Sequence, residues 1–99
     1  MTFVTTQPEI MAAVAGQLTG VGTELNAQNA AAMVPTTGVT PAADDEVSAL
    51  TAAQFVSHAA VYQAMSGHAA AVHELFVSAL GASANSYAAT ETANASSAI

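Results

Sequence analysis

Apolar residues in the first third of the chain recur every three or four positions. This spacing places them on one face of a helix. The stripe consists of Ile10, Val14, Leu18, Val21 and Leu25. It predicts a first helix over about residues 7–33, even though each of the three glycines inside it costs about 1 kcal/mol relative to alanine.

The start of this helix is marked by the sequence Thr6-Gln7-Pro8-Glu9. Thr6 and Glu9 have the spacing of a capping box, in which each side chain accepts a hydrogen bond from the other residue's backbone N–H. Pro8 suits the first helical turn, where its missing N–H is not needed. Glu9 also faces the positive end of the helix dipole. We therefore predict a helix cap formed by Thr6, Pro8 and Glu9.

Two prolines and a glycine between positions 35 and 41 interrupt the helical pattern and predict a connector over residues 34–44. The acidic residues Asp44, Asp45 and Glu46 then provide the cap and first turn of a second helix.

The second helix is predicted over about residues 45–82, because its apolar pattern runs on without a proline. We expect the tail, residues 83–99, to be helical at first and then frayed.

The second helix carries apolar residues on two faces. One face includes Val47, Leu50, Val61, Met65, Val72 and Leu75, and the other Phe55, Tyr62, Phe76, Leu80 and Tyr87. A hairpin has one internal seam, so the second face needs a further contact. The pattern predicts an all-α, antiparallel two-helix hairpin that completes a four-helix bundle with a second copy or another protein.

The residues predicted to form the hairpin or partner interface come from both helices. They are Ile10, Val14, Leu18, Val21, Leu25, Val47, Leu50, Phe55, Tyr62, Met65, Val72 and Phe76. Their periodicity leaves open which of them face the internal seam and which face the partner.

The charge composition narrows the possible functions. The chain has no Lys or Arg, seven acidic residues and a formal net charge of −7. Phosphate binding and docking to anionic membranes both depend on cationic side chains. The composition therefore argues against nucleic acid partners and against electrostatic docking to such membranes.

A membrane span and a signal peptide are the two targeting features to consider. The stretch from Val47 to His73 has no formally charged residue and is long enough to cross a bilayer. Its glutamines, histidines and many alanines make it poorly suited to lipid, so we favour a helix at a protein interface. The N-terminus lacks a positively charged region before an apolar run, so no cleavable signal peptide is expected.

No group of residues has the pattern of a catalytic or metal site. His68 and His73 are five apart, whereas metal ligands on one helix are usually three or four apart. The acidic residues 44–46 suit a helix cap better than a cation loop. There is no cysteine, catalytic triad or phosphate-binding loop. The sequence predicts a protein that is not an enzyme and has no cofactor.

Tyr87 and Glu91 are four residues apart and share one face if the helix reaches them. On spacing alone, the simpler interpretation is the last apolar turn of the second helix.

Several short motifs occur in a characteristic order: Pro8-Glu9, the connector from Pro35 to Pro41 with Asp45-Glu46-Val47 after it, and Tyr87-x-x-x-Glu91. With the alanine and glycine bias, they resemble the mycobacterial PE family over essentially the whole chain. Many members continue into long C-terminal regions, so this chain looks like a minimal PE protein with a single domain over residues 1–99.

The resemblance implies a hairpin that pairs with a PPE-family protein in a four-helix bundle. It also implies export of the folded heterodimer by type VII secretion machinery, to the medium or the cell envelope. In that family Tyr-x-x-x-Asp/Glu is part of the secretion signal and corresponds here to Tyr87 and Glu91. The Trp-x-Gly turn that completes the signal would come from the partner, as would the binding site for an EspG-type chaperone.

A self-associating structural or pore-like envelope protein is the alternative from a different class. Alanine-rich helices without Lys or Arg are compatible with it. A stable homo-oligomer would favour this alternative, and a 1:1 complex with a PPE-family protein would favour the first hypothesis.

Overall fold

The computed structural model describes residues 3–98, and within them the chain is entirely helical apart from its N-terminal segment and one connector. Helix α1 spans Pro8–Thr37 and helix α2 spans Glu46–Ser97. The two helices pack as a hairpin, which confirms the predicted all-α hairpin.

The chain divides into two compact units, each of which contains a segment of both helices. The terminal unit consists of Met1–Gly22 and His73–Ile99, and the connector unit is Thr23–Val72.

Helix α1 begins as the sequence predicts, with Pro8 in its first position. The Gln7 carbonyl accepts hydrogen bonds from the backbone N–H groups of Ile10 and Met11, at 3.1 and 3.3 Å. Gln7 is therefore the residue at the helix boundary, and Pro8 occupies a position where no N–H is required.

Helix α1 ends at Thr37, about one turn later than the predicted end near residue 33, and it includes Pro35. A proline removes one helical hydrogen bond. Two threonine hydroxyls donate to backbone carbonyls nearby, from Thr36 to Ala32 at 2.5 Å and from Thr37 to Met33 at 2.7 Å. These bonds add donors to carbonyls of the last turn, and the helix includes the proline.

Helix α2 begins with the acidic cap that the sequence predicts. The Asp45 carboxylate accepts hydrogen bonds from the Ser48 backbone N–H at 2.8 Å and from the Ser48 hydroxyl at 2.7 Å. These bonds lower the pKa of the Asp45 carboxyl below its ordinary value of 3.8, and the bond from the backbone N–H has the larger effect.

The predicted end of the second helix near residue 82 is wrong, because α2 continues to Ser97. Beyond Gly81 the sequence contains no glycine or proline and is rich in alanine, the best helix former. Hydroxyls of Thr90, Thr92, Ser96 and Ser97 each donate to the carbonyl four residues earlier, at 2.9–3.1 Å. The tail expected to fray is therefore helix within the described residues.

The inward-facing residues of each unit, here called the seam, follow spacings of mostly three and four. In the connector unit the seam of α2 comprises Ser48, Ala52, Val56, Ala59, Gln63, Ser66 and Ala70, and in the terminal unit His73, Val77, Leu80, Ala84 and Glu91. On α1 it comprises Met11, Ala15, Leu18 and Gly22 in the terminal unit, and Asn29 and Ala32 in the connector unit.

The buried residues of the seam are all alanines: Ala15, Ala52, Ala59 and Ala84. Small side chains let helix backbones approach closely. They also give little hydrophobic stabilisation, since burying one CH₂ contributes about 0.8 kcal/mol and a whole Leu or Phe side chain about 1.5–3 kcal/mol.

Neither helix, over the part of the chain that the structure describes, has a stretch apolar enough over a sufficient length to span a membrane.

Candidate functional site at the end of the second helix

Tyr87 and Glu91 lie one turn apart on α2, because the helix extends well past both of them. They therefore share one face, as their spacing predicts. The Tyr87 side chain is exposed, and a shallow depression beside it is lined by Ala82, Ser83, Ser86 and Thr90. Tyr87 is therefore open to solvent, while Glu91 is half-buried.

Glu91 contacts the segment that precedes α1. Its Oε1 atom accepts two hydrogen bonds from Thr6, one from the backbone N–H and one from the side-chain hydroxyl, both at 2.8 Å. The two residues are 85 positions apart in the sequence. We call this pair of bonds the Thr6–Glu91 clasp.

The clasp favours the ionised form of Glu91. The bond from the Thr6 backbone N–H, followed by the bond from its hydroxyl, holds the pKa of the Glu91 carboxyl below its ordinary value of 4.5. A carboxylate that accepts hydrogen bonds is harder to protonate. Glu91 is therefore charged at neutral pH.

The clasp shows that the predicted capping box between Thr6 and Glu9 at the start of α1 is wrong. The Thr6 backbone N–H donates to Glu91 and not to the Glu9 side chain, and the Thr6 hydroxyl also donates to Glu91. Glu9 is exposed in the first turn of α1, where its charge faces the positive end of the helix dipole.

The predicted interface residues lie mainly on the outside of the hairpin. Of the twelve, Leu18 is half-buried in the seam. The other eleven are exposed: Ile10, Val14, Val21, Leu25, Val47, Leu50, Phe55, Tyr62, Met65, Val72 and Phe76. Large side chains are thus on the surface in both units, including Phe55 at 61% and Phe76 at 57% exposure.

A histidine in the terminal unit contacts the opposite helix. His73 Nε2 lies 2.7 Å from the Leu18 carbonyl oxygen. Because a carbonyl only accepts, Nε2 must carry the hydrogen. A Cβ atom at Gly22 would lie 2.8 Å from His73 Cδ2, so glycine leaves room for the ring.

A second polar contact joins the helices of the connector unit. The Tyr62 hydroxyl donates to Asn29 Oδ1 at 2.8 Å, and Gln63 Nε2 donates to the Asn29 carbonyl at 3.0 Å. Neither this contact nor the histidine contact is predicted from the sequence. Residues more than thirty positions apart give no local signal of their pairing.

Metal-binding residues do not cluster in the described part of the chain. No group of three or more His, Asp or Glu side chains lies close enough there to hold an ion. Among residues 3–98, buried side-chain nitrogen and oxygen atoms all have hydrogen-bond partners.

Comparison with known proteins assigns the chain to a family. Residues 4–94 match the PE family. The chain belongs to the PE family. This PE protein is 58% identical to the PE family protein PE13 of Mycobacterium tuberculosis strain H37Rv, over 99% of each chain. The resemblance predicted from Pro8-Glu9 and Tyr87-x-x-x-Glu91 is thereby confirmed.

Other relatives are longer than this PE protein. It is 50% identical to PE8 of the same strain over 98 residues, which is 36% of that protein. It is 58% identical over 95 residues to the PE-PGRS family protein PE_PGRS33 of Mycobacterium tuberculosis, of which it spans 20%.

Proposed function

We propose that this chain is a non-catalytic subunit of a PE–PPE heterodimer and is exported by type VII secretion machinery with Tyr87 and Glu91 as part of the signal. Membership of the PE family supports a role in the mycobacterial PE/PPE system. In this proposal an EspG-type chaperone acts through the PPE partner. The exported heterodimer is then released or held at the cell envelope.

The observation that carries the proposal is the exposure of large apolar side chains outside an alanine seam. In the connector unit they include Leu50, Phe55, Val61 and Met65, all more than half exposed. Large apolar side chains that remain exposed on a folded domain are typical of protein interfaces. A PPE-family protein that packs against them would complete the four-helix bundle.

The same exposed residues also favour the second candidate function, self-association as a structural or pore-like envelope protein. A second copy would cover an apolar surface as effectively as a PPE-family protein. The two candidates differ in stoichiometry, which makes them separable in solution.

The test is co-expression of the chain with a panel of PPE-family proteins, followed by size exclusion with light scattering. We expect aggregation or poor folding of the chain alone and a soluble 1:1 complex with one panel member. A folded homo-oligomer of the chain alone, unchanged by every PPE-family protein, would replace this proposal with self-association.

Export is tested separately with Tyr87→Ala. We expect this variant to form the heterodimer normally and to remain in the mycobacterial cell, because Tyr87 is exposed and contributes little to the seam. Wild-type secretion of Tyr87→Ala would remove Tyr87 from the proposed signal.

A further inference from the structure

The two members of the proposed signal are in different environments. Tyr87 projects into solvent, with 46% of its surface exposed. Glu91 is half-buried, and its Oε1 atom accepts both hydrogen bonds of the Thr6–Glu91 clasp. Both lone pairs of Oε1 are therefore engaged within the chain, and an external cationic group would have to bind Oε2.

The clasp holds a segment that has little other support. Residues 3–7 precede α1 and are not helical. Phe3 and Val4 are 71% and 92% exposed, although they line a shallow groove together with the last turns of α2. The Thr6 bonds therefore fix this segment against α2 at the level of Glu91.

Bonds to a charged acceptor are among the stronger hydrogen bonds in proteins. The clasp uses one backbone donor, which any residue except proline supplies, and one hydroxyl donor, which is specific to Thr or Ser. Loss of the hydroxyl at position 6 therefore removes one of the two bonds, and loss of the acceptor oxygen at position 91 removes both.

We propose that Glu91 is a positioning residue, which acts in export by holding Thr6 and the N-terminal segment on α2, and that Thr6 is consequently a functional residue of the signal. This inference rests on the proposed function of Tyr87 and Glu91. In this inference the secretion machinery recognises Tyr87 and its surroundings. A cationic pocket that binds the Glu91 carboxylate is then not required.

The inference predicts different levels of export for Glu91→Gln and Glu91→Ala. The Gln amide oxygen accepts the same two hydrogen bonds without a charge, so the clasp persists in a weaker form. The Ala side chain offers no acceptor. If Glu91 acts by position, Gln should retain most of the wild-type export and Ala should lose it.

The first measurement is amide hydrogen exchange at Thr6, in the purified complex of the chain with the PPE-family protein found by co-expression. We expect exchange about tenfold faster in Glu91→Ala than in wild type, and an intermediate rate in Glu91→Gln. Equal Thr6 exchange in all three proteins would overturn the clasp itself.

The second measurement is export of Glu91→Ala, Glu91→Gln, Thr6→Val and the double variant Thr6→Val/Glu91→Ala from a mycobacterial host. We expect Thr6→Val to lower export severalfold, and the double variant to match Glu91→Ala, because residues that act through one contact are not additive. Thr5→Val, a change at the exposed neighbour of Thr6, serves as the matched control and should be exported normally.

Two results would contradict the positioning role. One is full export of Thr6→Val with none of Glu91→Ala. The other is loss of export in Glu91→Gln while its Thr6 amide stays protected, which would mean that the carboxylate charge is read directly. Wild-type export of Glu91→Ala would contradict the positioning role as well. The proposed function fails by a different route, namely wild-type export of Tyr87→Ala.

Discussion

Between the helices, the buried residues are alanines, whereas the outside of the same helices carries Phe, Leu, Val and Met. Ala59 is 7% exposed, yet Phe55, one turn earlier on α2, is 61% exposed. In most small domains the large apolar residues fill the core and the surface is polar. Here the large apolar residues are on the surface, and the buried part of the seam consists of small side chains.

This difference shows where the hydrophobic stabilisation of the chain has to come from. The buried alanines of the seam contribute little by burial, and its larger residues, such as Leu18, Val56 and Leu80, are only half-buried. The larger contribution is available only when another surface covers the outer residues. A change in the seam should therefore affect the hairpin itself, and a change on the outer surface should affect association.

The largest expected effect is that of a charge placed in the seam. Ala59→Asp buries a carboxylate without a partner, and we expect a loss of about 3 kcal/mol or more. Urea unfolding of the purified chain or complex, followed by circular dichroism, measures it. Ala60→Asp adds the same charge at an exposed position and should change stability by less than about 0.5 kcal/mol. Similar losses in both variants would mean that the seam is not where the structure places it.

The next largest effect is on association. Phe55→Asp should leave the helix content of the chain unchanged and should weaken the complex with the PPE-family protein about 100-fold, because a charge replaces a desolvated aromatic anchor. Titration by calorimetry measures the affinity, with Ala60→Asp again as the control. Equal weakening by both variants would point to general charge repulsion and not to a contact at Phe55.

A smaller difference in stability is expected between alanine substitutions at two glycines of α1. Gly20→Ala meets no atom within 4 Å and should stabilise the hairpin by about 1 kcal/mol. Gly22→Ala should gain about 1 kcal/mol less, because the His73 ring must move and lose its bond to the Leu18 carbonyl. The difference should disappear in a His73→Ala background, measured by thermal unfolding, and a persistent difference would exclude His73 as its cause.

The smallest effect is the pH dependence of Glu91. Its pKa is lowered in the folded chain, so the clasp contributes fully above the ordinary value of 4.5 and is lost as the pH falls through the folded value. The stability advantage of wild type over Glu91→Gln should therefore be constant at neutral pH and shrink below about 4.5. Thermal unfolding across this range measures it, and a pH-independent difference would contradict the assignment.

The sequence was sufficient to predict both helices and the hairpin. The period of the apolar residues and the acidic group at Asp45 carry that information locally. The helix ends were less predictable, since Pro35 normally ends a helix and a Ser- and Thr-rich tail normally frays. In both places the helix continues, and hydroxyl groups donate to its carbonyls.

The division of the apolar residues could not be predicted. Periodicity identifies an apolar face but does not say which protein covers it. Alanine is compatible with a close seam and with an exposed face, so the sequence pattern favours the stripe of Phe and Leu residues over the alanine positions of the seam. The Thr6–Glu91 clasp was also missed, because residues 85 positions apart carry no local pattern.

The alanine seam has a consequence for the alignment of the two helices along each other. Where alanines meet, one fits against another almost equally well after a slip of seven residues, so the alanine positions of the seam specify the register weakly. Single polar contacts can fix a register that apolar packing leaves degenerate. In the terminal unit Thr6–Glu91 and Leu18–His73 do this, and in the connector unit Asn29 does it with Tyr62 and Gln63. Removing these contacts together should yield hairpins of unchanged helix content in several alignments, each of which presents a different surface to a partner.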